Sequence, residues 1–217
     1  MTHKVHPKGF RLARADSWLS RWAARKTYAE FLKEDMTIRE FLKTRLKDAG
    51  MEEIEIERFP GKILVIISTG RPGLIIGRGG TGIEQLKREL ALIVARGTGK
   101  KGKQELRLEI REIKNPWTSA ALTAQYIGQQ LVKRMPHRRV LRQALGKIRA
   151  NKEILGARVE VAGRLGGADM SRREWVQEGR LPRQTIRAQI DYSLHVAKTT
   201  YGTIGVKVWM YKGEKFE

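Results

Sequence analysis

Glycines in the segment Ile75-Ile-Gly-Arg-Gly-Gly80 give the clearest indication of chemistry in the sequence. Glycine lets the backbone of a turn approach a phosphate, and a helix that begins directly after the turn points its positive end at the anion. Arg78 adds one positive charge. The pattern predicts a phosphate-binding loop made of Gly77, Arg78, Gly79 and Gly80. The alternative is a tight helix–turn–helix that needs glycine for its geometry alone.

Basic residues are concentrated between Lys133 and Arg149, a stretch that holds seven Lys or Arg and no acidic residue. Apolar spacing predicts a helix from Pro136 to about Ala150. Because successive helical residues lie about 100° apart, Arg138, Arg142 and Arg149 fall on one side of its apolar stripe, with Arg139 further round. Uncompensated cations repel one another, which favours a phosphate-binding surface over a face that is merely solvated.

Composition limits the class of protein. The 217 residues include 44 Lys and Arg against 23 Asp and Glu, so the net charge is +21. Such an excess indicates an anionic partner, usually nucleic acid or an anionic membrane surface. The absence of cysteine excludes disulfides, thiolate zinc sites and cysteine nucleophiles. The four histidines lack metal-ligand spacing, and no apolar run is long enough to span a membrane. We expect a soluble intracellular protein without a metal or a cofactor.

The phosphate-binding loop must be positioned by the elements around it. A capping box at Thr37–Glu40 predicts the start of a helix that runs to about Ala49. Strands follow at 54–57 and 62–68, then a short apolar helix, the glycine loop, a helix that starts with a second capping box at Thr81, and a strand at 106–110. The first 36 residues are basic and aromatic-rich, which indicates an extension that wraps onto a partner.

The second half of the chain has its own pattern. Asn115-Pro116 predicts a helix start, and a helix to about Met135 precedes the basic helix. Alternating apolar residues predict three strands, around Val159–Val161, Ile186–Val196 and Ile204–Met210, with a Gly- and Arg-rich connection after the first. The predicted fold class is α+β in two domains: a basic extension at 1–36, an α-β-β-α-α-β domain at 37–115, and an α+β domain at 116–217 with two helices and three or more strands.

The loop and its flanking elements resemble the KH domain in its type II arrangement. KH domains clamp about four nucleotides of single-stranded nucleic acid with a GXXG loop. Here the loop is Gly77-Arg-Gly-Gly80, set between two helices and flanked by strands. It carries one basic residue, where relatives often have two.

Along its whole length the chain resembles the bacterial-type small-subunit ribosomal protein S-three family. The segments that carry this resemblance are Lys4–Leu12, Arg71–Gly77, Gly163–Gly167, Glu174–Arg180, Ile190–Tyr192 and Thr199–Trp209. A match that starts so near Met1 argues against a transit peptide. One departure from the family pattern is Pro136-His137, which stands where members often have an aromatic or apolar pair.

This resemblance implies a structural protein in the head of the small subunit, on the ribosome in the cytoplasm. The implied partners are small-subunit ribosomal RNA, messenger RNA and the ribosomal proteins S-ten and S-fourteen, with no membrane. It implies that Arg138, Arg139 and Arg142 line the channel through which messenger RNA enters and help to open structured messages; contact with ribosomal RNA or surface solubility is the alternative. The expected ribosomal RNA contacts are Lys4, His6, Lys8, Arg11, Arg164, Arg172, Arg173 and Arg180.

Two other functions remain to be weighed. A free KH-type regulator of messages or RNA chaperone would leave the second domain and the N-terminal extension unexplained. A metal-dependent nuclease would need paired carboxylates with metal-ligand spacing. The acids Asp169, Glu174 and Glu178 lie in an Arg-rich region instead, and we expect them to be ion-pair partners. The sequence therefore predicts an RNA-binding protein and not an enzyme.

Overall fold

The computed structural model describes residues 5–12, 17–98 and 105–216, without the side chains of 96–98. These residues form two compact units. The central unit is Trp18–Lys114, and the C-terminal unit is the described part of Asn115–Glu217 together with that of Met1–Ser17. The segment predicted as one extension over 1–36 is thus divided between the two units. The predicted α+β class is confirmed.

The secondary structure comprises six α-helices and eight strands within the described ranges. The helices are α1 (Pro7–Arg11), α2 (Tyr28–Arg45), α3 (Pro72–Ile76), α4 (Thr81–Thr98), α5 (Ala120–Val132) and α6 (His137–Arg149). The strands are β1 (Ser20–Arg21), β2 (Met51–Phe59), β3 (Lys62–Thr69), β4 (Glu105–Glu112), β5 (Gly156–Gly163), β6 (Arg172–Gly179), β7 (Ala188–Thr199) and β8 (Gly202–Glu214). None of the described helices combines the length and apolar character that crossing a membrane requires.

The central unit is built on a sheet with the strand order β1-β2-β3-β4. β2 and β3 are antiparallel, β4 runs parallel to β3, and the two residues of β1 run parallel to the outer edge of β2. Alternate residues of β2, such as Ile54 and Ile56, are buried with Leu42 of α2 and Leu90 of α4. The order α2-β2-β3-α3-α4-β4 is the predicted one, and it places the glycine loop between α3 and α4.

The helix predicted to begin at Thr37 begins nine residues earlier, at Tyr28. Thr37 lies inside α2, where its hydroxyl donates to the Lys33 carbonyl at 2.9 Å. Threonine side chains inside helices commonly make this bond to the residue one turn back, so its presence does not mark a helix start. The first turns of α2 are stabilised by tertiary ion pairs, which a local sequence pattern does not reveal.

A buried ionic cluster joins α2 to β2 in the central unit. Arg58 donates to Glu34 Oε2 and to Asp35 Oδ1, both at 2.6 Å, and the three side chains are at most 5% exposed. The other oxygen of Asp35 accepts hydrogen bonds from the Ser20 hydroxyl and the Trp22 indole, each at 2.8 Å. Asp35 therefore binds Arg58 through one carboxylate oxygen and fixes the chain around β1 through the other.

Replacing Asp35 should destabilise the central unit strongly. In Asp35→Ala the buried Arg58 keeps only one carboxylate, and we expect a loss of about 3–5 kcal/mol in the free energy of unfolding. Glu84→Ala is the matched control, because it breaks an exposed pair with Arg88 and should cost about 0.5 kcal/mol or less. Urea denaturation followed by circular dichroism measures both; similar small losses would contradict the assigned role of Asp35.

The C-terminal unit contains a fully antiparallel sheet in the order β6-β5-β8-β7. Helices α5 and α6 pack on it through a core that includes Ile127, Leu141 and Val208. The helix predicted to begin at Pro116 begins at Ala120 instead, after a 3-10 turn over Pro116–Thr118. The Ser119 hydroxyl caps α5 by accepting from Leu122 N at 3.4 Å, and Asp191 of β7 accepts from Ala120 N at 2.8 Å.

Strand β6 differs from the prediction, which treated its residues as part of a connection. β6 is an edge strand that pairs with β5 alone, and both of its faces are at least partly exposed. Its sequence therefore has no buried apolar face and lacks the alternation from which strands are predicted. Glu174 and Glu178 lie on one side of this strand, facing α6.

Candidate nucleic-acid interface

The glycine loop connects α3 to α4 in a tight turn. Gly77 ends α3, and its backbone N–H donates to the Gly73 carbonyl at 3.0 Å. Its φ of 70° and the φ of 62° at Gly79 lie in the left-handed region, where side chains with a Cβ are strained. The Thr81 hydroxyl donates to the Arg78 carbonyl at 3.0 Å, so Thr81 braces the turn and is not the N-cap that its capping-box pattern predicted. The structure brings the four predicted loop residues together, with Gly77, Arg78 and Gly79 exposed.

Close contact between two helix ends keeps this turn in place. A Cβ on Gly82, in the first turn of α4, would lie 2.6 Å from the carbonyl oxygen of Ile75 in α3. The two backbones therefore touch, which only glycine allows at this position. Beside the loop, Leu74 and Ile76 are 61% and 38% exposed, so apolar side chains are available next to the exposed backbone.

Gly82→Ala should disturb this contact. The obstructing atoms belong to the backbone, so α3 and α4 have to separate, and we expect the free energy of unfolding to fall by about 1–3 kcal/mol. Gly73→Ala is the matched control in α3, because a Cβ there meets nothing within 4 Å, and we expect it to be neutral or slightly stabilising. Urea denaturation compares the two, and equal effects would show that the close contact is unimportant.

The basic stretch from Lys133 to Arg149 divides into engaged and available cations. Arg138 pairs with Glu174 and Arg149 pairs with Glu178, so two ion pairs connect α6 to β6. Lys147 lies over the ring of Trp117, 4.6 Å from its centre. Within the described part of the chain, Arg139 and Arg142 form no ion pair, and both are exposed.

Glu174 is the centre of a small charged cluster at the start of α6. Its carboxylate accepts from Arg138 Nε at 3.2 Å and from Arg138 Nη2 at 3.3 Å, and it lies 3.0 Å from His137 Nε2. The hydrogen bond from Arg138 is the largest influence on the pKa of Glu174 and lowers it; burial opposes this effect, and smaller contributions from His137 and from the charge of Arg138 lower the pKa further. The same hydrogen bond raises the pKa of Arg138.

The available arginines border a groove on the outer side of α6. Its volume is about 670 Å³, and its lining residues are Pro136, Arg138, Arg139, Arg142 and Gln143. On the opposite side of the helix, Val140, Leu141 and Ala144 are buried. The predicted channel residues thus share one groove and project from a helix that is fixed in the core. Such a surface suits contact with the phosphates of a strand and does not depend on its sequence.

The residues predicted to contact ribosomal RNA lie in different surroundings. Arg172, Arg173 and Arg180 are exposed, and Arg164 is held by Asp169 while its side chain remains 43% exposed. Exposed His6 caps α1 by accepting from Gly9 N at 3.2 Å. Lys8 pairs with Asp191 at 3.2 Å. Lys4 lies outside the described residues.

Arg11 has a different role from the predicted RNA contact. Its side chain is buried, and it donates to the carbonyls of Pro7, Arg183 and Thr185 at 2.8–3.0 Å. A guanidinium surrounded by backbone oxygens in this way is not open to a phosphate. Arg11 instead fixes α1 to the loop that precedes β7. The sequence could not show this, because the carbonyls of Arg183 and Thr185 lie far along the chain from Arg11.

Comparison with known proteins agrees with this architecture. A family model described as "KH domain" matches residues 37–118, and one described as "Ribosomal protein S3, C-terminal domain" matches residues 127–210. The protein named "Small ribosomal subunit protein uS3" of Syntrophobacter fumaroxidans is 47% identical over 214 residues, 99% of each chain. Those of Maridesulfovibrio salexigens and Synechocystis are 47% and 45% identical over 99% of this chain and cover 96% and 87% of their own lengths.

The chain belongs to the ribosomal protein S3 family. The resemblance stated from its motifs is therefore confirmed, as are the KH domain with its GXXG loop and the C-terminal α+β domain. Proteins of the S3 family are structural RNA-binding components of the small ribosomal subunit, and the family is not known to be enzymatic, in agreement with the prediction. The predicted location, the ribosome of the cytoplasm, follows from the family.

The ion pairs of the acidic residues were predicted in part from the sequence, but the partner of Arg138 was not. Asp169, Glu174 and Glu178 were expected to form ion pairs, and all three do. The sequence did not show that two of the three pairs reach α6. His137 was noted as a departure from the family pattern, and its contact with Glu174 gives that departure a physical meaning.

Proposed function

We propose that this S3 family member works in the head of the small subunit, where the groove beside α6 lines the channel through which messenger RNA enters. Arg138, Arg139 and Arg142 would bind phosphates of the incoming strand. Ribosomal proteins S-ten and S-fourteen are the proposed protein neighbours, and the exposed Arg164, Arg172, Arg173 and Arg180 are proposed to bind ribosomal RNA.

One observation carries the proposal for messenger RNA. Arg139 and Arg142 are exposed and unpaired within the described residues, although the unit offers carboxylates that engage two other arginines of the same helix. An unpaired cation in a protein of charge +21 adds repulsion to the folded state. Two of them at one groove are best explained by a polyanion that neutralises them when bound.

The mechanism follows from how α6 is held. Its buried face is anchored in the core, so the backbone from which its arginines project is fixed. A cationic row on a fixed helix would bind a single strand through its phosphates. Opening of structured messages would then be driven by movement of the message through the ribosome, with this protein holding the separated strand.

The GXXG loop is proposed to bind a single-stranded segment of ribosomal RNA. The exposed backbone from Gly77 to Gly79 can approach phosphates, and the amino end of α4 adds favourable potential for an anion. Leu74 and Ile76 can contact bases beside it. The loop has one arginine, so backbone and helix end supply much of its attraction for phosphate.

Removing the two unpaired arginines should weaken binding of single-stranded RNA. For Arg139→Ala/Arg142→Ala we expect at least a tenfold loss of affinity for a 20-nucleotide oligouridylate in about 0.1 M salt, with a salt slope smaller by about 1.4 because two phosphate contacts are lost. Lys152→Ala/Lys198→Ala is the control, since it removes two exposed charges away from the groove. Fluorescence anisotropy measures affinity; equal losses in the two double variants would overturn the channel assignment.

The same double variant tests the function on the ribosome. Arg139→Ala/Arg142→Ala should still sediment with small subunits, because the proposed ribosomal RNA contacts lie elsewhere. Subunits that carry this variant should translate a message with a stable hairpin more slowly than wild-type subunits do, and an unstructured message at the same rate. The wild-type protein is sedimented through a density gradient in moderate salt as the reference. If it stayed at the top of the gradient and did not travel with small subunits, the protein would instead be a free KH regulator.

A further inference from the structure

The three groove arginines are not equivalent, because one of them is already bound to a carboxylate. Arg138 presents its Nε and Nη2 to the two oxygens of Glu174, while its side chain remains 69% exposed. Glu174 itself is 24% exposed and has a second contact with His137, which is 18% exposed. Arg139 and Arg142 have no such partner in the described ranges.

We propose that Glu174 is an internal substitute for an RNA phosphate: it occupies Arg138 while the groove is empty, and a phosphate of the strand displaces it. This inference rests on the proposed function of the groove and assigns a specific role to one acid within it. Arg139 and Arg142 make the first contacts, and Arg138 joins them by exchanging one anion for another.

The geometry suits such an exchange. A carboxylate and a phosphate both offer two oxygens to the fork of a guanidinium, so Arg138 can bind either in the same orientation. The pair is easily displaced, because its two hydrogen bonds are long, at 3.2 and 3.3 Å, and the guanidinium is 69% exposed to solvent. Because the guanidinium is largely exposed and lines the groove, an incoming phosphate can approach it without rearrangement of α6.

His137 would hold the Glu174 carboxylate in place during the exchange. Its Nε2 lies 3.0 Å from Glu174 Oε2, the same oxygen that accepts from Arg138 Nε. When Arg138 turns to a phosphate, Glu174 keeps this neighbour and stays in place for the return of Arg138. The charged or titratable groups of this cluster on α6 and β6 are His137, Arg138 and Glu174, and they act as one unit.

The exchange would make the groove suitable for a strand that must move. When a phosphate leaves Arg138, the guanidinium is not left without a partner, because Glu174 takes the place of the phosphate. The groove would thus bind RNA less tightly than three unpaired arginines would, and release would be faster. We expect Glu174 to reduce affinity, although it lies among residues that bind RNA.

Removing the charge of Glu174 tests the proposal, and the chain supplies a matched control. Glu174→Gln and Glu178→Gln each remove one acid of β6 that pairs with an arginine of α6, and each raises the net charge from +21 to +22. Arg149, the partner of Glu178, is not among the residues that line the groove. The probe is a 20-nucleotide oligouridylate, bound to the full chain.

We expect Glu174→Gln to tighten RNA binding about three- to tenfold in 0.1 M salt and to steepen the salt slope by about 0.7, the value for one added phosphate contact on a single strand. Glu178→Gln should change affinity less than about twofold. Glu174→Asp keeps the net charge but has a shorter reach to Arg138, so it should also tighten binding. In an Arg138→Ala background, Glu174→Gln should have no effect.

Three results would overturn the proposal. Weaker binding in Glu174→Gln would mean that Glu174 orients Arg138 for RNA. Equal tightening by Glu178→Gln would reduce the effect to net charge, and tightening that persists without Arg138 would exclude the exchange. Failure of the proposed function is recognised separately, because Arg139→Ala/Arg142→Ala would then leave RNA binding unchanged. Circular dichroism checks folding, and Glu174→Asp supplies the answer if Glu174→Gln does not fold.

Discussion

Mutual repulsion among basic side chains is the constraint that this structure must satisfy before it meets RNA. The chain carries 44 Lys and Arg against 23 acids, so many cations have no acid of their own. The fold reduces the repulsion by giving its interior cations several partners each. Arg58 has two carboxylates, Arg11 has backbone carbonyls, and Arg158 binds Glu160 at 2.8 Å while lying 4.0 Å from the ring centre of Trp175. Repulsion is thereby left mainly at the surface, where solvent screens it until RNA removes it.

This division of the cations gives the surface its functional pattern. Arginines that hold elements together already have protein partners, whether they are buried like Arg58 or exposed like Arg149, and exposed arginines without such a partner are available to phosphate. The basic helix shows both uses within four turns, since Arg149 connects it to β6 while Arg139 and Arg142 face the groove. Total charge therefore identifies the class of partner, whereas the ion pairs identify which residues are available to it.

Much of this could be predicted from the sequence, and the exceptions have physical causes. The order of elements around the GXXG loop and the cationic flank of α6 follow from local periodicity and from glycine, so they were predicted correctly. The start of α2, the 3-10 turn at Pro116 and strand β6 depend on tertiary contacts or lie at a sheet edge, so local patterns misplaced them. At the groove, helical phase grouped Arg138 and Arg142 with Arg149, whereas the family resemblance named Arg138, Arg139 and Arg142, and these three line the groove. The partners of the arginines are set by tertiary contacts: Arg11 meets carbonyls of a distant loop, and the position of β6 brings Glu174 to Arg138. Local sequence patterns do not reveal such contacts, which is why Arg11 was assigned to RNA and why Glu174 had no assigned partner.

The two-residue strand β1 has a consequence for the life of the chain before assembly. A sheet edge with unpaired backbone groups is a template on which strands of other molecules can add. β1 covers part of the outer edge of β2, and Asp35 holds it there through Ser20 and Trp22. At the other edge, the exposed face of β4 carries alternating Glu and Arg side chains, and charges on an edge strand oppose the addition of a further strand. The segment that precedes the KH core thus shields part of one edge of the sheet from strands of other molecules.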